Sequence, residues 1–253
     1  DADGVTATIR DTATGATRQV RTRYLAGCDG AGSVTRRALG VDLHEMGPQD
    51  AMSTGDKLRA LGSVARGLLR GERPPDGRMY LIHFRSRDLA FFERFGTLWH
   101  LQAPRNGTII SQNDLDTWTI HIPLPGGVDA EAIDARKFLF ENLGAEVDCE
   151  ILVANAWTPR LALAASYGRG RVWMAGDSVH QVIPTGGYGM NTGVGDAVDL
   201  GWKLSAMLEG WGGPRLLESY DAERRPVGFR NRAASARHAN VRIGIAGAWT
   251  PRI

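Results

Sequence analysis

The chain has 253 residues, an apolar fraction of 43%, a charged fraction of 23% and a formal net charge of +2. This composition is ordinary for a globular protein, and the small net charge predicts neither a nucleic-acid partner nor attraction to an acidic membrane. No apolar run approaches the roughly 20 residues that a membrane-spanning helix needs. The two cysteines, Cys28 and Cys149, lack metal-ligand spacing, which argues against a metal site and a disulfide framework and favours a cytoplasmic protein.

The chain opens, without a methionine, on a pattern of short strands. Apolar and polar residues alternate over residues 5–10, and a second short strand is predicted over 18–23, with a turn at Gly15 between them; together they predict a β-hairpin. A short apolar run over 24–28 then stops at Asp29. This start, directly before a strand, leads us to expect a chain cut from a longer protein.

The next segment predicts one helix and then loops. Ser33 is a suitable N-cap for a helix over 33–39, and Gly40 follows its predicted end. Residues 41–78 are rich in glycine, arginine and proline, and we interpret them as loops with one short helix.

The middle of the chain predicts an antiparallel sheet. Its segments are aromatic and β-branched and are separated by turn residues; they cover 79–84, 98–103, 108–112 and 117–122. An amphipathic helix is predicted over 129–143, with Gly144 as its stop. Sheet packing or an ordinary place on the sheet surface is the expected role of the aromatic and histidine side chains here, namely His83, Phe84, Trp99, His100, Trp118 and His121.

The most informative stretch is 170–193, where a predicted strand over 171–175 leads into a glycine-rich loop and a helix over 192–208. Glycines let a backbone approach a ligand closely, and a helix N-terminus favours an anion or an electron-rich ring edge. Asp177, at the end of the strand, could accept hydrogen bonds from a sugar-like hydroxyl. Neither GxGxxG nor a P-loop fits, because the third glycine comes one place late and no GK[ST] follows.

Two features around this stretch have structural interpretations. His180 is expected to hold the loop by hydrogen bonds rather than to act as a base. Pro214 predicts the start of a helix that runs through Tyr220, and a separate basic helix is predicted after Pro226. The arginines over 224–242 are expected to form a solvated face of that helix.

Residues 171–203 resemble the second FAD-binding motif of the para-hydroxybenzoate hydroxylase-like flavoprotein monooxygenases. The matching positions are Gly176, Asp177, Ser178, Val179, His180, Pro184, Gly186, Gly187, Gly189, Asn191, Asp196, Leu200, Trp202, Lys203 and Leu204. Residues 28–36 resemble the family's internal Asp-Gly motif, and 220–226 also resemble the family as a helix joint. Two motifs in the family's order, with a β-rich insert between them, are far more specific than either alone, and the long inserts resemble the phenol and polyketide hydroxylase branch.

The resemblance implies an α/β fold, namely an incomplete FAD-binding domain of the glutathione reductase type with an inserted antiparallel β-sheet domain for the substrate. The implied boundaries place the middle part of the FAD-binding domain at 1–40 and the substrate domain at 41–155. Residues 156–253 would then hold the C-terminal part of the FAD-binding domain and the helices that follow it.

The resemblance also implies the cofactor contacts. Asp177 would hold a ribitol hydroxyl of FAD, the backbone over 187–191 would approach the pyrimidine end of the flavin ring, and Pro184 would border the flavin near the substrate. Asp29 and Arg36 would lie near the pyrophosphate and the path of NAD(P)H. The full implied set is Asp29, Gly30, Arg36, Gly176, Asp177, Pro184, Gly186, Gly187, Gly189, Met190 and Asn191.

The activity that the resemblance implies is hydroxylation of a small phenolic or polycyclic aromatic substrate with FAD, O2 and NADH or NADPH, in a monomer or homodimer. One alternative is a flavin-dependent halogenase, whose WxWxIP motif is nearly matched over 118–123 with Ile120 in place of the second tryptophan. The other is an inactive flavin-binding remnant, because the family's first motif, GxGxxG, is absent. We expect residues 1–253 alone to bind FAD weakly, with an unpaired strand edge at 25–28.

Overall fold

The computed structural model describes residues 3–47, 50, 52–69, 71, 75–94, 96, 99–102, 107–113 and 115–248. The chain divides into two compact units. The first unit comprises Asp1–Met52 and Arg160–Arg242, and the second unit comprises Ser53–Pro159 and Ile243–Ile253. The chain therefore changes unit at 52/53, 159/160 and 242/243, whereas the sequence predicted boundaries at 40/41 and 155/156. The assignment of these units to cofactor and substrate stays a prediction.

The chain contains both strands and helices, mixed along its length, which makes the protein α/β. The strands are β1 (Val5–Arg10), β2 (Thr17–Thr22), β3 (Leu25–Gly27), β4 (Leu43–Glu45), β5 (Pro75–Ser86), β6 (His100–Gln102), β7 (Thr108–Ser111), β8 (Thr117–Pro125), β9 (Cys149–Trp157), β10 (Ala162–Ala164), β11 (Gly168–Arg169), β12 (Val172–Met174) and β13 (His180–Gln181). The helices are α1 (Val34–Ala38), α2 (Thr54–Leu69), α3 (Leu89–Glu93), α4 (Ala135–Leu143), α5 (Tyr188–Glu209) and α6 (Leu216–Ala248).

The first unit contains the predicted hairpin β1–β2 and two small three-stranded sheets. In one sheet the order is β13-β10-β4, and all pairs are antiparallel. In the other the order is β11-β12-β3, and β12 pairs with β3 in parallel, with Val172 opposite Leu25 and Met174 opposite Gly27. Because parallel strands end at the same edge of a sheet, the segments after β3 and β12 start side by side.

The helix at 33–39 is confirmed, and two other helices differ from the prediction. Ser33 caps α1, since its hydroxyl accepts a hydrogen bond from the backbone N–H of Arg36. Helix α5 begins at Tyr188, four residues before the predicted start. Helix α6 is continuous through Pro226, although two helices were predicted. Pro226 is exposed, so the helical hydrogen bond that proline cannot make is lost on the solvent side.

Helix α5 buries polar and charged side chains as well as apolar ones. Val194 and Val198 lie on its solvent side and are 56% and 67% exposed. The buried positions are instead Thr192, Asp196, Leu200, Lys203 and Ala206. The ammonium of buried Lys203 bridges Asp199 on α5 and Glu223 on α6, at 2.9 and 3.0 Å. Ion pairs thus allow charged side chains to lie inside this unit.

The second unit is built on one antiparallel sheet of order β6-β7-β8-β5-β9. The predicted strands at 79–84, 108–112 and 117–122 are confirmed, and the part of 98–103 that is described forms β6. Strand β9 was not predicted. The segment 41–78, taken as loops with one short helix, holds β4 and the 16-residue helix α2. Three glycines within α2, at positions 55, 62 and 67, interrupt its helical sequence pattern.

Helix α4 starts six residues later than predicted. Ile133 adopts an extended conformation after a short 3-10 turn, and the carboxylate of Asp134 accepts a hydrogen bond from the N–H of Lys137 as the N-cap. Gly144, with φ of 73°, ends the helix as predicted.

One face of the sheet carries the apolar core of the second unit. Its buried side chains are Tyr80, Ile82, Phe84, Phe92, Ile109, Ile120, Ile122, Leu124, Leu139, Leu143, Val147 and Cys149. The expected packing role of Phe84 and Trp118 is confirmed, because Phe84 is fully buried and Trp118 stacks on Phe92 with ring centroids 4.3 Å apart.

Among the described residues, no helix combines the length and the apolar character that crossing a membrane requires.

We predict that Phe84→Ala destabilises the protein by about 3–5 kcal/mol, because it removes a buried ring and leaves a cavity. The control is Val153→Ala on neighbouring β9, whose side chain is 52% exposed and whose loss should cost less than about 1 kcal/mol. Urea unfolding followed by tryptophan fluorescence measures both changes. Equal losses in the two variants would contradict the assignment of this core.

Candidate functional site

Two loops leave the carboxyl ends of the parallel strands β3 and β12. The first begins at Cys28 and contains Asp29 and Gly30, and the second contains Gly176 and Asp177. The carboxyl edge of a parallel sheet is where α/β proteins bind ligands, because the loops there are free to differ from the scaffold. The two motifs that are far apart in the sequence therefore meet at one edge.

Buried hydrogen bonds tie these two loops together. Arg36, buried on α1, donates from Nη1 to the carbonyl of Ser178 at 2.8 Å. The hydroxyl of Ser178 donates to the carbonyl of Gly27 at 2.8 Å, and the side-chain amide of Gln181 donates to the carbonyl of Ala31 at 3.1 Å. Arg36 thus joins the two motifs, which is a structural role in addition to the predicted one.

Asp29 is occupied by its own loop. Its carboxylate accepts hydrogen bonds from the hydroxyl of Ser33 at 2.6 Å and from the N–H and hydroxyl of Thr35 at 2.9 and 3.0 Å. Partial burial by itself would raise the pKa of Asp29, but these hydrogen bonds outweigh it and hold the pKa below its ordinary value. The charge therefore stabilises the turn at Gly30, whose φ is 75°.

Asp177 differs from Asp29, because its side chain is exposed and, within the described part of the chain, its carboxylate has no hydrogen-bond partner. Gly176 turns the chain out of β12 with φ of 65° and places Asp177 at the open edge of the sheet. An unpaired carboxylate in this position is able to accept hydrogen bonds from ligand hydroxyls.

The glycine-rich loop leads directly into the N-terminus of α5. Gly186 and Gly187 have φ of 86° and 71°, a region that residues with a side chain rarely adopt. A Cβ on Gly186 would also lie 2.6 Å from Nδ1 of His238. Gly187 occupies the N-cap position and has no side chain with which to cap the first turn. The backbone N–H groups of that turn therefore face a ligand or solvent.

The remaining predicted residues surround this helix start. Pro184 is exposed in the loop, and Met190 is 78% exposed in the first turn of α5. Gly189 is half-buried against Val182. The amide of Asn191 donates to the carbonyl of Gly187 at 2.8 Å, which holds the loop against the helix. Helix α5 lies close to the end of β12, since a Cβ on Gly193 would be 3.5 Å from the Cα of Gly176.

A fully buried carboxylate, that of Asp196, lies behind this surface. It accepts hydrogen bonds from the backbone N–H of Gly176 at 3.1 Å, from Nε2 of His180 at 2.7 Å and from Nε of Arg224 at 2.8 Å. The expectation that His180 fixes the loop agrees with this contact. Sequence reasoning gave Asp196 and Arg224 no role of their own, although both lie inside the segments that resemble the family.

Helix α6 holds the start of α5 and the loop before it. Arg224 donates from Nη2 to the carbonyl of Thr192 at 3.1 Å, and the amide of Asn231 donates to the hydroxyl of Thr192 at 2.7 Å. Ser235 donates to the carbonyl of Ile183 at 2.8 Å. The solvated basic face predicted over 224–242 is therefore wrong for Arg224 and for Arg232, which is buried and donates to the carbonyl of His44.

The second unit presents a different kind of surface on the side of the sheet opposite its core, which we call the outer face. It consists of alternate strand residues, namely Leu81, His83, Ile110, Thr119, His121, Val153, Asn155 and Trp157. The Nδ1 of His83 and the hydroxyl of Thr119 are 2.8 Å apart. Burial, with a smaller contribution from His100, lowers the pKa of His121 and favours its neutral form. Apolar and hydrogen-bonding groups are thus mixed on this face.

Taken together, the first unit has the parts of a nucleotide or flavin site: a free carboxylate, a glycine loop and an uncapped helix N-terminus at the carboxyl edge of parallel strands. The chain belongs to the FAD-binding domain family, whose model matches residues 1–235. The fold and the family therefore agree with the resemblance found in the two motifs.

Relatives of this chain include several monooxygenases. It is 38% identical to the FAD-dependent monooxygenase opdD of Penicillium oxalicum over 96% of this chain and 44% of the relative. It is 34% identical to a putative polyketide hydroxylase of Streptomyces coelicolor over 100% of this chain and 37% of the relative. The 4-methyl-5-nitrocatechol 5-monooxygenase of a Burkholderia species is 36% identical over 90% of this chain and 39% of the relative. The chain spans less than half the length of these relatives.

Solved structures that resemble this chain also include flavin-dependent enzymes. The flavin-dependent monooxygenase PieE, in complex with FAD and substrate, matches 98% of this chain and 40% of its own with a TM-score of 0.79 and 31% identity. Aklavinone-11 hydroxylase, in a ternary complex with FAD and aklavinone, matches 97% of this chain and 42% of its own with a TM-score of 0.77 and 26% identity.

We predict opposite effects for two glycine-to-alanine changes on α5. Gly201→Ala should stabilise the protein by up to about 1 kcal/mol, because alanine favours a helix and the new Cβ meets no atom within 4 Å. At Gly195 the Cβ would lie 2.6 Å from Nη2 of Arg224. Gly195→Ala should therefore displace the guanidinium of Arg224. The hydrogen bonds lost in this way should outweigh the gain in helix propensity, so the protein should be destabilised by about 1 kcal/mol. Thermal unfolding measures both; equal stabilisation would show that Arg224 moves freely.

Proposed function

We propose that this chain forms the FAD- and substrate-binding part of a monooxygenase that hydroxylates a phenolic or polycyclic aromatic compound. The observation that carries the proposal is the free carboxylate of Asp177 beside the uncapped, glycine-led N-terminus of α5. The family of the chain and the names of its relatives support it. NADH or NADPH would supply two electrons; one atom of O2 would enter the ring and the other would leave as water.

The residues present fit FAD. Asp177 would accept hydrogen bonds from the ribityl chain, and the backbone N–H groups at the start of α5 would face the electron-rich end of the flavin ring, where a helix N-terminus stabilises negative charge. Gly186 and Gly187 leave room for the ring edge because they have no side chains. When bound, FAD supplies the reaction with O2 and the transfer of oxygen, and the protein supplies position and the exclusion of water.

Replacement of Asp177 tests the cofactor site. Asp177→Ala should weaken FAD binding about ten- to a hundredfold, because it removes a charge-assisted hydrogen bond typically worth about 1.5–3 kcal/mol. Asp42→Ala, which removes an exposed carboxylate elsewhere in the first unit, is the control and should have no effect. FAD titration of the purified protein, followed by flavin fluorescence, gives both affinities. An unchanged affinity in Asp177→Ala would place FAD elsewhere.

For the substrate, we propose the outer face of the second unit as the surface that contacts the aromatic ring. The core face of the same sheet is filled by side chains of α3 and α4, including Phe92 and Leu139. The outer face has half-buried aromatic and apolar groups beside the polar pair His83 and Thr119. Apolar walls with a few placed polar groups are typical of sites for small aromatic ligands.

Substrate-dependent oxidation of NADH or NADPH by the FAD-loaded protein tests this activity. With a phenol or polycyclic phenol that is a substrate, we expect faster NAD(P)H oxidation and a hydroxylated product whose new oxygen comes from labelled O2. His83→Ala should raise KM for that substrate about tenfold through a lost polar contact. FAD affinity should stay unchanged, and His44→Ala, an exposed histidine of the first unit, should behave as wild type. Oxidation without a hydroxylated product would argue against the proposed reaction.

A further inference from the structure

The buried carboxylate of Asp196 receives its three donors from three different elements. Gly176 follows β12, His180 lies in β13, and Arg224 lies in α6. Burial of a carboxylate costs several kcal/mol unless its oxygens are fully paired, and apolar residues of similar size often give equal stability. Stability alone therefore does not require a charge at this position, and the geometry of its contacts points to another role.

Two of these contacts fix segments of the proposed flavin site. Gly176 directly precedes Asp177, so the hydrogen bond that the N–H of Gly176 donates to Asp196 sets the direction in which the chain leaves β12. Arg224, which is bound to one oxygen of Asp196, also donates to the carbonyl of Thr192, one turn after the start of α5. One guanidinium therefore links the carboxylate that holds the strand end to the turn that carries the helix N-terminus.

Close packing leaves this linkage little freedom. Thr192 is buried and is held on two sides, because its hydroxyl donates to the carbonyl of Tyr188 at 2.6 Å and accepts from Asn231 at 2.7 Å. The absence of a side chain at Gly195 leaves the space that the guanidinium of Arg224 occupies. The side chain of Arg224 is itself only 18% exposed.

We propose that Asp196 and Arg224 are positioning residues for FAD, acting as a bracket that sets the separation between Asp177 and the N-terminus of α5. This inference rests on the proposed flavin site, where Asp177 and the N-terminus of α5 would contact different parts of one cofactor. A small change in their separation would leave one contact unmade. The bracket itself lies behind the surface, since Asp196 is fully buried.

Arg224→Lys tests the bracket with little risk to folding. Lysine keeps the charge and can reach one acceptor, but it lacks the fork with which arginine binds Asp196 and Thr192 at once. We expect a folded protein by far-ultraviolet circular dichroism, about tenfold weaker FAD binding and a changed visible circular dichroism of the bound flavin. The control is Arg225→Lys, at the next position, where the side chain is 45% exposed and should have no effect.

Asp196→Asn tests the other partner, because an amide cannot accept from all three donors. If the two residues act as one bracket, the double variant with Arg224→Lys should bind FAD no more weakly than the weaker single variant. If Asp177→Ala weakens FAD binding but both single variants keep the wild-type affinity and visible circular dichroism, the bracket is overturned and the flavin site is not. Additive losses in the double variant would also overturn the bracket, and an unaffected Asp177→Ala would overturn the flavin site with it.

Discussion

The first unit depends on the pairing of buried charges where its parallel strands end. A carboxylate taken out of water needs donors on all sides, and Asp196 obtains them from the strand end, from β13 and from α6. This requirement explains why α5 turns Asp196 inward and leaves Val194 and Val198 exposed. Helix α6 is continuous beyond Pro226, and side chains on both sides of the proline contact α5 or the loop before it.

The second unit differs from the first in the kind of side chains that it buries. Its core is apolar, and the single sheet is covered on that face by α3 and α4. Strict alternation along β5 and β8 sends Ile82 and Ile120 to the core and His83 and Thr119 to the outer face. The near match to a halogenase motif falls on β8, and its Trp118 stacks on Phe92 at the core side. That motif is therefore accounted for by the packing of a strand.

Exposure divides the positions that resemble the flavoprotein monooxygenases into two groups. Arg36, His180 and Asp196 are buried and bind other parts of the protein, so their contribution is to hold the loops in place. Asp177 and Pro184 are exposed and remain able to meet a ligand. A family motif thus contains residues that build the site as well as residues that would touch the cofactor, and only the structure separates them.

Local patterns in the sequence were enough to predict many of the strands and helices and the family. Alternation predicted the hairpin and most of the sheet, Ser33 and Gly144 marked helix ends, and the two motifs indicated an FAD-binding protein, because these signals depend on neighbouring residues. The partners of the charged side chains Asp196, Lys203 and Arg224 follow only from the folded arrangement of the chain. Arg224 binds Asp196 from 28 positions away and Arg36 binds Ser178 from 142 positions away, and no local pattern specifies which distant donor meets a buried acceptor.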